Sequence, residues 1–188
     1  MVKPKRIPCR PQDQDQIEKA AKHVDYECEA LGKTQREIRS WNDFAPTELE
    51  SVKRAAIYVA WLVHLRCVLT FFRNAQFHGD EVLACHFMDD PAKWASDHAG
   101  ELRLSDAENR RVEMIEHLVS HLTYDRLSEV SDFGPHDHQM AIKRLRIFYA
   151  SLPQRHKPRF PALAALLASL PTPQVKDAGG TQKGEGSV

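Results

Sequence analysis

The sequence predicts an all-α fold, a bundle of four to five helices followed by a disordered C-terminal tail. Three observations lead there. Apolar residues recur at three- and four-residue spacing over long segments, no useful length of chain alternates apolar with polar as a half-buried strand would, and Gly, Pro and short polar residues collect between the periodic segments. With 188 residues, 42% of them hydrophobic and 28% charged, the chain holds apolar material for one core and too little for two full domains, and a wholly disordered chain is excluded. The expected division is a flexible basic N-terminus over 1–12, a helical domain over 13–170 and a disordered tail over 171–188.

The first helix is expected over 13–39, where Ile17, Ala20, Ala21, Val24, Cys28, Leu31 and Ile38 share one face and Gly32 is a possible break. Trp41 to Pro46 reads as a turn. Behind it Thr47-Glu48-Leu49-Glu50 starts a long second helix, with acids in the first turn where the helix dipole favours them. That helix is apolar nearly all round from Ile57 to Phe72 and is therefore expected to be the buried central element; His64, Arg66 and Thr70 interrupt it and need partners. The run is shorter than a membrane span.

Asp89-Asp90-Pro91 through Gly100 reads as loop with a helical turn at most. Ser105-Asp106-Ala107-Glu108 has the spacing of a capping box, and the stripe Val112, Ile115, Leu118, Val119, Leu122 behind it predicts a third helix over 106–127. Asp137 is expected to cap a fourth, with Ala141, Ile142, Leu145, Phe148, Tyr149 and Leu152 inward, ended by Pro153. A last short helix is expected over 161–170. The tail beyond it is too polar and too rich in Gly and Pro to build a core.

Four cysteines without CxxC spacing suggest reduced thiols, and the basic segment Met1 to Arg10 has no apolar stretch of the signal-peptide kind, so a cytoplasmic location is expected. Formal net charge is zero, yet its distribution is uneven. Thirteen acids against five bases lie between Asp80 and Asp132, whereas residues 138–176 carry seven bases and no acid. Two readings of Lys143, Arg144, Arg146, Arg155, Lys157 and Arg159 stand side by side. Either they form a solvated face that pairs with the acidic middle of the chain, or they form a phosphate-binding surface for RNA.

The end of the second helix carries Arg73-Asn74-Ala75-Gln76-Phe77-His78-Gly79. Guanidinium binds phosphate bidentately, imidazole moves a proton near neutral pH, and Asn74 can hold either partner by hydrogen bonding, a combination suited to phosphodiester cleavage. On a continuous helix residues five apart point about 140° away from each other. A shared site therefore needs a helix break near Gln76 or a second copy of the segment from a partner subunit. Arg66, one heptad before Arg73, lies on nearly the same face and is either ion-paired or a further phosphate contact.

On these residues the chain resembles the HEPN superfamily of helical-bundle ribonucleases, whose signature is Arg, four to six residues and His, often with Asn directly after the Arg. The resemblance covers about residues 60–79. It implies a HEPN-like bundle that cuts RNA without a metal ion or other cofactor, in a composite cleft between the subunits of a homodimer. Arg73 would stabilise the phosphate and His78 would transfer the proton. Many such proteins are toxins or antiphage abortive-infection effectors, which implies a cognate antitoxin or regulatory protein as partner. Where some relatives have a tyrosine two residues after the His, this chain has Asp80.

Two other functions fit the same sequence. One is a catalytically silent helical module that binds nucleic acid or a partner protein through its basic C-terminal face. The other is a metal hydrolase, since Glu113, His117, His121 and Asp125 follow one another at i+4 spacing; that stripe lies opposite the apolar one and reads better as a solvated face, so no metal site is assigned. Trp41, Trp61 and Trp94 are expected to pack rather than to stack on bases.

Overall fold

The computed structural model of the protein describes residues 14–41, 46–72, 83–102, 104–120 and 133–171. These residues form seven α-helices in the order α1 (Gln14–Ser40), α2 (Glu48–Phe71), α3 (Pro91–Asp97), α4 (Ala99–Leu102), α5 (Asp106–Ser120), α6 (Pro135–Ser151) and α7 (Pro161–Ala168), with short 3-10 turns at Ala84–Phe87 and Lys157–Arg159. No strand occurs among the described residues, and the fold is an all-α bundle. Residues 1–12, expected to be flexible, and 172–188 of the tail expected to be disordered lie outside the described residues.

Each long helix forms where its periodicity and caps agree. Helix α1 buries Ile17, Ala21, Val24, Cys28 and Leu31 along one stripe. It passes through Gly32 without a break. Gly32 serves packing: a β-carbon there would stand 2.9 Å from Leu166 Cδ1 of α7, inside normal contact. Helix α2 opens with a reciprocal capping box, in which Glu50 N donates to Thr47 Oγ1 at 3.3 Å and Thr47 N donates to Glu50 Oε2 at 2.8 Å. Helix α6 begins three residues before the expected start. Its N-cap is Gly134, and Asp137 reaches back from the third position to accept from Gly134 N at 2.9 Å.

Helix α2 packs against α1, α5 and α6, but only its C-terminal half is central. Trp61, Leu62, Leu65, Val68, Leu69 and Phe71 are buried, whereas Leu49 and Val52 are exposed. The buried residues all lie within the apolar run Ile57 to Phe72, as expected, and the start of the helix, outside that run, is not covered. By length and composition alone α2 is apolar enough to cross a bilayer.

The core is continuous from α1 to α7, and its densest part is aromatic. Phe71, Phe72, Phe87, Phe148 and Phe160 stack edge to face, with ring centroids 5.1 to 6.1 Å apart. Helix α3 was not expected. Asp90 caps it through Lys93 N at 2.9 Å and Pro91 occupies its first turn, a start signal that the loop reading passed over. Cys28 and Cys67 are free thiols, as expected, but Cys85 is disulfide-bonded; sequence spacing carries no trace of a pairing that folding creates.

Candidate functional site

The residues of the Arg-Asn-x-x-x-His segment, Arg73, Asn74 and His78, lie outside the described residues. Helix α2 delivers the chain to them, ending at Phe71 with Phe72 as its C-cap. Arg66, one turn and a half earlier, has found its counter-charge. Its Nε donates to Glu116 Oε1 on α5 at 3.2 Å, and both side chains are about one-third exposed.

The basic stretch does not form one surface. Arg144 is inside the protein, where Nε donates to Leu102 O at 3.0 Å, Nη1 to Met140 O at 3.1 Å and Nη2 to Glu108 Oε2 at 2.9 Å. It is a structural cation tying α6 to the start of α5, which corrects its assignment as an RNA contact. Arg155 pairs with Asp89, and Arg159 with Glu18 at 3.2 Å. Arg146 donates to Pro171 O at 2.8 Å, and Lys157 lies over the ring of Tyr149. Of the six, Lys143 alone stands exposed without a partner among the described residues. Acids from the middle of the chain thus meet two of these cations, and α1 supplies the third acid.

Lys143 stands at the rim of a cleft of about 680 Å³ between α6 and the junction of α4 with α5. Buried Leu104 and Met140 lie against it. The Ser105–Glu108 capping box forms part of the α5 wall: Glu108 N donates to Ser105 Oγ at 3.2 Å, and Ser105 N to Glu108 Oε2 at 2.7 Å. These bonds and the Arg144 guanidinium hold the Glu108 carboxyl below its ordinary range against an opposing desolvation.

A second polar cluster joins α1 to α2 and was not foreseen. Glu27 is buried, and its carboxylate accepts from His64 Nδ1 at 2.7 Å, with His23 Nε2 at 3.6 Å. The Cys67 thiol shares this carboxylate. Burial, followed by the Glu27 charge, pushes the thiol up to about 11, so it stays protonated at neutral pH. Sequence gave one hint, the polar His64 within an apolar run, but the partner is 37 residues away and no local spacing points to it. Among the described residues no three His, Cys, Asp or Glu side chains are arranged to hold a metal ion; Glu113 and His117 lie on α5, and His121 and Asp125 fall outside the described residues.

His138 is buried on α6, and its Nδ1 has no hydrogen-bond partner among the described residues. Burial, and then the nearby Arg39 charge, pushes it down from 6.5 to about 4. The neutral ring is therefore the folded form, while the unfolded chain takes up a proton below about pH 6.5. Stability from this group is complete above that pH and is lost as pH falls toward 4. Between pH 7 and 5 the loss should reach roughly 2 kcal/mol, measurable as a lowered urea midpoint, and His138→Leu should flatten that slope. An unchanged slope in the variant would remove His138 as its source.

No family model matches the chain, and neither a curated protein nor a solved structure matches it.

Proposed function

We propose that the protein is a metal-independent endoribonuclease acting as a homodimer. The observation that carries this reading is the sequence Arg73-Asn74-Ala75-Gln76-Phe77-His78, set directly behind the C-cap of a long apolar helix in an all-α bundle. His78 acts as general base on a ribose 2′-hydroxyl, the resulting alkoxide attacks the adjacent phosphorus, and Arg73 stabilises the charge that develops on the phosphoryl oxygens. The 5′-oxygen leaves and takes a proton, giving a 2′,3′-cyclic phosphate and a 5′-hydroxyl. Asn74 orients the imidazole or the phosphate. A cytoplasmic toxin or antiphage effector held in check by a regulatory protein is the biological setting that accompanies this chemistry.

The rival reading, a silent module gripping nucleic acid by its basic C-terminal face, is weakened by the pairing of Arg144, Arg155 and Arg159 with carboxylates. Incubation of the purified protein with mixed RNA separates the two. Cleavage is expected with and without EDTA, and is expected to disappear in Arg73→Ala. RNA left intact by a folded wild-type protein, or cleavage that needs Zn²⁺ or Mn²⁺, overturns the proposal.

A further inference from the structure

The cleft beside Lys143 has two walls of opposite charge that do not neutralise each other. On α6, His136, Gln139 and Lys143 follow at spacings of three and four residues and so share one face. On the other side Glu101 lies in the single turn of α4 and Asp106 begins α5. Lys143, His136 and Asp106 are exposed and have no partner among the described residues, while Glu101 is engaged by His98 Nδ1 at 3.2 Å. Arg144 adds no net charge to the cleft, since Glu108 cancels it and its donors are occupied by Leu102, Met140 and Glu108.

Leu104 and Met140 supply apolar surface between the walls, and the cleft volume lies within the range of small-molecule sites. A simple anion placed on Lys143 would sit near the carboxylates of Asp106 and Glu101. A polyamine placed on the carboxylates would sit near Lys143. Only a ligand that carries both signs satisfies both walls.

We propose that this cleft binds a small amphoteric molecule of the α-amino acid class, with its carboxylate on Lys143 and His136 and its ammonium on Asp106 and Glu101. The side chain of the ligand lies over Leu104 and Met140. The proposal uses no residue of the Arg73–His78 segment, so it stands whether or not the protein cleaves RNA.

The test is ligand-observed NMR of the full chain with each protein-forming L-amino acid at millimolar concentration, followed by titration of those that bind. At least one is expected to bind, and its N-acetyl and carboxamide forms are each expected to bind at least about tenfold more weakly, a change of roughly 1.4 kcal/mol. Lys143→Met should weaken the parent and leave the carboxamide unaffected, and Asp106→Asn should weaken the parent and leave the N-acetyl form unaffected. Circular dichroism checks that both exposed substitutions keep the fold. Absence of binding by every amino acid overturns the proposal. So does preferential binding of a nucleoside monophosphate or spermidine whose affinity ignores the wall of like charge.

Discussion

Phe148→Ala is expected to lower the unfolding free energy by about 4 kcal/mol and to reduce the melting temperature by roughly 10 °C or more. Phe148 is fully buried, and its ring meets Phe71, Phe72, Phe87 and Phe160 edge to face at centroid distances of 5.1, 6.1, 5.9 and 5.4 Å. Truncation removes the transfer free energy of the ring and leaves a space that four stiff neighbours cannot close, since each is held by the others. Leu49→Ala serves as the comparison. Leu49 is 65% exposed at the start of α2, and its loss should change stability by less than about 0.5 kcal/mol. Thermal and urea unfolding of both variants measure the difference, and a Phe148→Ala protein that melts within about 3 °C of wild type would show that the aromatic cluster repacks.

His78→Ala is expected to lower RNA cleavage by at least two orders of magnitude, roughly 3 kcal/mol in the barrier, with the fold unchanged. The same mechanism makes a second demand on the substrate. A strand with one 2′-deoxy nucleotide at the cut site lacks the attacking oxygen and should resist cleavage at that position alone. Cleavage of the deoxy substrate at the wild-type rate would exclude 2′-hydroxyl attack. The composite cleft is tested with a tandem-linked dimer in which one half carries both His78→Ala and Arg73→Ala. Activity near half of wild type per dimer means that each subunit works alone, whereas a hundredfold loss means that each cleft draws residues from both.

Where one face of a helix is apolar and the other is not, the sequence shows which residues will be buried. Ile17, Ala21, Val24, Cys28 and Leu31 on α1, and Ala141, Ile142, Leu145 and Phe148 on α6, are the core residues their spacing indicates. Helix α2 defeats the same reasoning. Being apolar nearly all round from Ile57 to Phe72, it has no period there to show which face is covered. Charge was legible as composition and not as contact. Seven bases without an acid between residues 138 and 176 suggest an open basic face until folding brings Glu108, Asp89 and Glu18 to three of them. The Glu27–His64 pair fails to show for the same reason, because its register is set by how α1 and α2 pack. The Arg73–His78 segment is read from residue chemistry and from the family resemblance, and it lies outside the described residues.

Asp25, on α1, gives its carboxylate to the start of α7: Oδ1 accepts from Leu163 N at 2.9 Å and Oδ2 from Ala162 N at 3.2 Å. Helix α7 has eight residues, too few to persist by itself, and its cap comes from the other end of the domain. During synthesis, α1 therefore leaves the ribosome with its binding partner still unmade, and the seam that receives Leu163 and Leu166 stays open until nearly the whole domain has emerged. The nascent chain passes through a stage with α1 and α2 formed and an apolar flank uncovered, the condition in which chaperones engage and premature association between chains begins. Closure by the last helix also makes the domain cooperative, because losing α7 uncaps nothing locally but unseals the first helix.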